Sequence, residues 1–280
     1  MSAAREIDPD ERGRAYDAAR AYADADAAEQ HDYRADVPRF VRMWAEHEER
    51  WPTRQAGTSI DRSTADPDGS FRSDGGFYLS PDHNAEAAAA IGRIRDTEPA
   101  VSADLLAVER ENTFGARLEG FDCRLKGDER LKEKAAEGLA TGSPDATPIE
   151  VLGQIPDAIR YTFCMEPDNY TKSYYDITVR LQSFGYEMYQ SRNSWSNPEY
   201  KGINTRWVTQ EGLRLEVQFH TPDSFHAKQH VTHSCYERLR NPLTPDVERG
   251  ELEEFQREVS SRVRVPDGAS GIPDHKKGVF

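Results

Sequence analysis

The chain has 280 residues, 36% of them hydrophobic and 31% charged, with a formal net charge of −14. That length holds one large domain or two modest ones, and an aromatic content of 10% sets it apart from disordered chains. The acidic balance disfavours duplex DNA or bulk tRNA, which are bound by neutralising phosphates over a broad basic surface. A small phosphorylated ligand in a local basic pocket stays open.

No apolar run approaches the roughly 20 residues of a membrane helix. The opening MSAAREIDPDERGRAYDAAR lacks the apolar core of a signal peptide. The three cysteines, Cys123, Cys164 and Cys235, fit no metal spacing. Cys123 and Cys164 fall in strand-like segments and could pair in an oxidising compartment; as buried hydrophobes they would stay free.

In chain order, residues 10–30 are Ala-rich and helical in character. DVPRFVRMWAEHEERW places Val37, Phe40, Val41, Trp44, Glu48 and Trp51 at helical spacing, which predicts a packing helix ending at Pro52. A Gly/Ser/Asp-rich stretch over 53–76 reads as a long flexible loop. Helices are predicted near 83–95 and 101–113.

The pattern then changes. ARLEGFDCRLKG alternates Phe121, Cys123 and Leu125 against Asp122, Arg124 and Lys126, the signature of a strand. DERLKEKAAEGLA reads as a helix, DAIRYTFCM as a strand, and DNYTKSYYDITVRLQSFG as a helix closed by Gly185. YEMYQSRNSW predicts another strand. YKGINTRWVTQEGLRLEVQFHT predicts a hairpin turning at Gln210-Glu211-Gly212. In its second arm Leu213, Leu215, Val217 and Phe219 share one face, and Arg214, Glu216, Gln218 and His220 the other. Two helices, near 222–240 and 245–263, precede a Pro/Gly-rich tail read as flexible. The sum is an α/β fold with a mixed sheet of about five strands flanked by helices. Residues 1–100 form an N-terminal helical region, 101–265 the main domain and 266–280 the tail.

Five cations fall within 124–134: Arg124, Lys126, Arg130, Lys132 and Lys134. In an acidic chain that excess suggests donors converging on phosphates. A solvated helix with i,i+4 ion pairs gives the same pattern. Asp157 opens one predicted strand and Glu216 lies on the polar face of another. Such a pair can share a Mg²⁺ whose other ligands are substrate phosphates. Singly, each also reads as an ordinary surface acid.

RLKGDERLKEK, IPDAIRYTF, EYKGINTRW, LEVQFHT and VTHSCYERL, in that order, resemble the motifs of RelA/SpoT-type synthetases over residues 115–240. The resemblance implies a nucleotidyltransferase-like synthetase domain that moves pyrophosphate from ATP to the 3′-hydroxyl of a purine nucleotide, with Mg²⁺. It implies that Arg124 packs on the ATP adenine and that Lys126 and Lys134 hold its phosphates. Asp157 and Glu216 would be metal ligands, with Glu216 also the base. Tyr200 would stack on the acceptor base, with Asn204, Gln218, Arg192 and His220 around the acceptor. His233 and Tyr236 resemble the His-x-x-Tyr of the next helix.

The chain departs from the pattern at the acceptor side. Asn204 stands for His, Gly202 for Ser and His220 for Arg, and Arg192 substitutes for a missing lysine near Ser196. The departures put guanine specificity in question. The upstream residues, with His31, His47 and His83, are read as lacking the His-Asp metal site of the family's hydrolase module.

The partners expected are free nucleotides, with no membrane and no bulk nucleic acid. The family's exported and toxin branches add an antitoxin or immunity protein, and a secreted or a cytoplasmic location. Two alternatives are a toxin that pyrophosphorylates the tRNA 3′ end and a silent nucleotide-binding module.

Overall fold

A computed structural model describes residues 32–52, 66–73, 75–143, 145–241 and 243–277. The Ala-rich stretch 10–30 and most of the loop 53–76 lie outside them.

The helices are α1 (Tyr33–Arg50), α2 (Pro81–Glu111), α3 (Asp128–Thr141), α4 (Pro148–Gln154), α5 (Tyr170–Ser183), α6 (Pro222–His226), α7 (His233–Arg240) and α8 (Asp246–Ser261). A π-helix, Ala227–Val231, joins α6 to α7. Strands β1 (Phe71–Arg72) and β2 (Tyr78–Leu79) form a small hairpin. The main sheet holds β3 (Arg117–Glu119), β4 (Arg160–Cys164), β5 (Glu187–Asn193), β6 (Ile203–Val208), β7 (Arg214–His220) and β8 (His275–Lys276), in the order β3-β4-β7-β6-β5-β8. Only β4 and β7 run parallel; every other pair is antiparallel. The fold is therefore α/β, with a mixed sheet flanked by helices.

Cross-strand partners share a face, so the register assigns the two sides. Tyr161, Phe163, Leu215, Val217, Phe219, Ile203 and Trp207 form the apolar side, and all are buried. Helix α5 covers it: Tyr174 meets the Phe219 ring at 4.9 Å, and the Tyr170 hydroxyl donates to the Phe219 carbonyl at 2.9 Å. Helix α2 reaches the same side, where Ser102 Oγ and Tyr161 Oη are 2.9 Å apart. The other side carries Arg160 and Thr162 on β4, Glu216, Gln218 and His220 on β7, Asn204 and Arg206 on β6, and Gln190 and Arg192 on β5. This polar side is the surface on which the site is built.

Several predicted boundaries move. The strand expected across Phe121–Lys126 is a short strand at 117–119 followed by a 3-10 turn, Phe121–Cys123. Gly120, at φ 64° in the left-handed region, ends the strand. Only Leu125 resumes pairing, by a bridge to Ile159. The two helices predicted on either side of Pro99 are one 31-residue helix, α2. The lost backbone donor at Pro99 is tolerated because Glu98, Val101 and Ser102 around it are buried against the fold. A division at residue 100 would cut that helix.

Residues 266–277 are packed rather than a free tail. Asn193 Nδ2 donates to the Ala269 and Ile272 carbonyls at 2.8 and 2.7 Å, and β8 pairs with β5. Helix α1 packs on α8 through Phe40 and Trp44 against Phe255, at 6.5 and 5.6 Å between rings. Its buried residues are Tyr33, Phe40 and His47. Val41, expected on the packing stripe, is 61% exposed.

Cys123 is exposed, Cys164 and Cys235 are buried, and all three are free. Among the described residues no helix is long and apolar enough to cross a membrane.

Candidate active site

The parallel pair β4 and β7 sets Arg160 directly opposite Glu216. The Arg160 guanidinium then makes two ion pairs, with Nε on Glu216 Oε1 at 2.7 Å and Nη2 on Asp157 Oδ2 at 3.1 Å. Asp157 lies in the turn leading into β4. Two acids 59 positions apart in sequence numbering (216 minus 157) thus meet at one cation on one side of the sheet.

Backbone pairing brings in the lysine. Lys126 N–H donates to the Ala158 carbonyl at 3.0 Å, and Arg160 N–H donates to the Arg124 carbonyl at 2.8 Å. This tie lays residues 124–126 along 158–160 and puts Lys126 Nζ 2.9 Å from Asp157 Oδ2. Burial raises the Asp157 pKa, but Lys126, Arg160 and Lys134 outweigh it and hold the carboxyl below its ordinary range. Lys134, on α3, is close enough to contribute to that field and makes no ion pair among the described residues.

The five cations of 124–134 therefore divide. Lys126 and Lys134 face Asp157, whereas Arg130 pairs with Glu133 at 2.9 Å and Lys132 lies 5.9 Å from the Phe71 ring centre. Arg124 is anchored separately. Its Nε sits 2.5 Å from Glu98 Oε1, its Nη2 3.2 Å from Glu98 Oε2, and its guanidinium 4.4 Å from the Phe121 ring centre. Glu98 is 3% exposed and also accepts the Tyr161 hydroxyl at 3.0 Å. Burial pushes its carboxyl up, and the Arg124, Ser102 and Tyr161 hydrogen bonds bring it below its ordinary pKa.

Two positions that depart from the resembled pattern, Asn204 and His220, lie in one hydrogen-bonded chain with Tyr200 and Ser224. The Tyr200 hydroxyl lies 2.9 Å from both Asn204 Oδ1 and His220 Nε2, and His220 Nδ1 lies 2.9 Å from Ser224 Oγ. Burial, with the nearby charges of Lys228 and Arg160, holds the His220 ring well below its ordinary pKa, so it is neutral. Gly202 makes room for it: a Cβ there would lie 2.7 Å from His220 Cε1, at a backbone φ of +150°. The smaller residue at 202 and the ring at 220 are one arrangement.

His220 is fully buried. It braces Tyr200 rather than facing an open cleft, which corrects its expected place in contact with the acceptor. Arg192 is exposed, opposite Asn204 in the register, and makes no ion pair among the described residues. Gln218 donates from Nε2 to Glu216 Oε1 at 2.6 Å. His233 and Tyr236 are both exposed on α7.

Three residues escaped the sequence reading: Arg160, Glu98 and Lys228. Glu98 carried a signal, since it interrupts the row Ala87, Ile91, Ile94, Glu98, Val101 and Leu105 on the buried side of α2. The reading of the upstream residues also needs correction, because His31-Asp32 is an adjacent pair. Asp32 caps α1, its side chain accepting from Arg34 N–H; His31 lies outside the described residues.

The ion pairs and hydrogen bonds of the two acids use a single oxygen of each, leaving Asp157 Oδ1 and Glu216 Oε2 without a hydrogen-bond partner among the described residues. Two free carboxylate oxygens beside cations suit Mg²⁺, which takes one or two carboxylates and completes its shell with water and phosphate oxygens. Among the described residues no group of three or more His, Cys, Asp or Glu could hold a metal by protein ligands alone. A cavity of about 220 Å³ lies elsewhere, between α2, α4 and the β6–β7 turn, lined by Ile94, Leu152 and Leu213 among others.

No family model matches the chain, and no curated protein matches it. Solved structures do. The type VI effector Tas1, in complex with its immunity protein, is 19% identical over 64% of this chain and 95% of that one, with a TM-score of 0.41. A GTP pyrophosphokinase family protein from Streptococcus pneumoniae is 17% identical over 65% and 89%, with a TM-score of 0.41. Small alarmone synthetase 1 from Bacillus subtilis, bound to its product pppGpp, is 11% identical over 61% and 87%, with a TM-score of 0.39.

Proposed function

We propose that the chain transfers pyrophosphate from ATP to the 3′-hydroxyl of a purine nucleotide, releasing AMP. The observation that carries this reading is the meeting of Asp157 and Glu216 at Arg160, with Lys126 and Lys134 alongside. A binding module needs cations for phosphates; it does not need two acids on the same spot.

The acceptor 3′-oxygen attacks the β-phosphorus of ATP, the bond from that phosphorus to the α,β-bridging oxygen breaks, and AMP leaves. Glu216 takes the proton of the attacking hydroxyl. A well-placed base contributes roughly 10²–10⁴ in rate. Lys126 and Lys134 hold the ATP phosphates. Arg160, balanced between the acids in this structure, is within reach of the same negative charge as it builds on the transferred group. Asp157 Oδ1 would hold Mg²⁺, which would neutralise phosphate charge when bound, and Glu216 Oε2 is the oxygen left for the attacking hydroxyl. Arg124, with one face on Phe121 and its edge on Glu98, presents a guanidinium plane to the ATP base. Tyr200 offers its ring to the acceptor base, oriented through Asn204 and His220.

The test is transfer from γ-³²P-labelled ATP with Mg²⁺ to GTP, GDP, ATP, ADP or tRNA, supplied separately. Label on a free nucleotide, with matched AMP, supports the proposal. Label confined to tRNA keeps the chemistry and replaces the acceptor. Nucleotide binding with no transfer to any of the five overturns the enzymatic reading.

A further inference from the structure

The polar side of the sheet holds a half-buried cation that the transfer steps do not use. Lys228, the second residue of the π-helix, directs Nζ onto Gln218 Oε1. The π-helix is closed by Thr232, whose N–H and hydroxyl both donate to the Ala227 carbonyl, at 2.8 and 3.0 Å. Such insertions recur at functional sites, where the wider turn re-aims a side chain. Here that side chain is the lysine. Its neighbours are Arg160, Glu216 and Cys164 from the sheet and the Phe225 ring from α6, 5.8 Å from the ammonium. Burial and the Arg160 charge draw its pKa down to about 8.

A glutamine side chain offers an acceptor at one end and a donor at the other, and the two ends exchange by a flip. An ammonium can only donate, so the end of Gln218 facing Lys228 must be the oxygen. The NH₂ is thereby turned to Glu216, where it donates to Oε1 at 2.6 Å. With the amide reversed, its carbonyl oxygen would face the carboxylate.

We propose that Lys228 is a positioning residue that locks the Gln218 amide, so that Glu216 Oε1 stays hydrogen-bonded and Oε2 stays turned to the reacting groups. The inference rests on the pyrophosphoryl-transfer reading and deepens it: Lys228 acts on the base through an amide, without touching either substrate.

The experiment is a double-mutant cycle with Lys228→Met and Gln218→Leu, together with Lys228→Arg, in the transfer assay above. Lys228→Met is expected to lower kcat roughly tenfold to hundredfold, the effect of one charge-assisted hydrogen bond, with the KM for ATP within about twofold of the parent. In the Gln218→Leu background it should cost no more than about twofold further, and Lys228→Arg should restore most of kcat. Losses that add in the double variant, or a raised KM with kcat unchanged, overturn the proposal and make Lys228 a substrate contact. A parent chain that transfers to no acceptor defeats the functional reading instead. The amide then decides separately: the Gln218 side-chain NH₂ resonances should form a well-resolved, slowly exchanging pair in the parent and in Lys228→Arg. Loss of that pair in Lys228→Met supports the lock, and its persistence there overturns it.

Discussion

The proposed donor and acceptor sides of this site are held by opposite kinds of force. On the proposed donor side Asp157, Glu216, Lys126 and Arg160 are fixed by charge against charge, and Arg124 with Glu98 forms a separate ion pair that reaches Ser102 and Tyr161. On the acceptor side Asn204, Tyr200, His220 and Ser224 form a neutral hydrogen-bonded chain. Ion pairs can exchange partners when a polyanion and its counter-cation arrive, so the donor side is built to be reorganised by its substrate. A neutral chain with the imidazole sealed inside gains nothing by opening, so the acceptor side is built to keep its shape.

The contrast predicts where substitutions strike. The largest effect is expected at Glu216: Glu216→Gln keeps the bulk and the contact to Arg160 but removes the base, so transfer should fall roughly 10²–10⁴-fold. Calorimetric titration should find ATP affinity within about threefold of the parent.

Glu98→Ala strips a buried partner from Arg124 and tests the donor side through stability. Arg124 keeps partial access to water, so losing its charge-assisted hydrogen bonds to Glu98 should cost about 1–3 kcal/mol. A fall in the denaturation midpoint, with weaker ATP binding, is the expected outcome. A neutral effect on both would mean that Arg124 needs no anchor.

The acceptor side should yield less. Tyr200→Phe removes one hydroxyl from the chain and costs about 1 kcal/mol of ordering, read as a rise of roughly fivefold in acceptor KM, with the KM for ATP unchanged. Gly202→Ser should be worse than its size suggests, because any Cβ there meets the His220 ring at 2.7 Å.

The last effect is a pH dependence, read in stability rather than in transfer. Lys228 is drawn from its ordinary 10.5 to about 8, so between those values the unfolded chain holds a proton that the folded chain has released. Stability from this group therefore rises as pH rises from about 8 toward 10.5, by at most about 3 kcal/mol. The rise should vanish in Lys228→Met, measured by chemical denaturation at pH 8 and pH 10.

Sequence made the reaction floor legible and its ceiling opaque. The alternation of β7 identified the strand, its turn and the face bearing Glu216 and Gln218. It could not show that this polar face is also buried at Glu216, Gln218 and His220. Asp157 and Lys126 were legible from their motifs; the guanidinium joining the two acids was not, because its role depends on β4 pairing with β7 in parallel, a register no local pattern encodes. The alternation at Phe121, Cys123 and Leu125 misled because a 3-10 turn gave a period-2 composition by coincidence, where Gly120 already marked the stop. Strand β8 went unread because two residues after a Pro/Gly-rich stretch carry no periodicity.

The most direct test of the central claim compares the parent, Asp157→Asn and Glu216→Gln in single-turnover transfer of γ-³²P label from ATP to free nucleotides. The account predicts rapid transfer by the parent, and loss of transfer in both variants with ATP still bound. Either variant transferring label at the parental rate would contradict it.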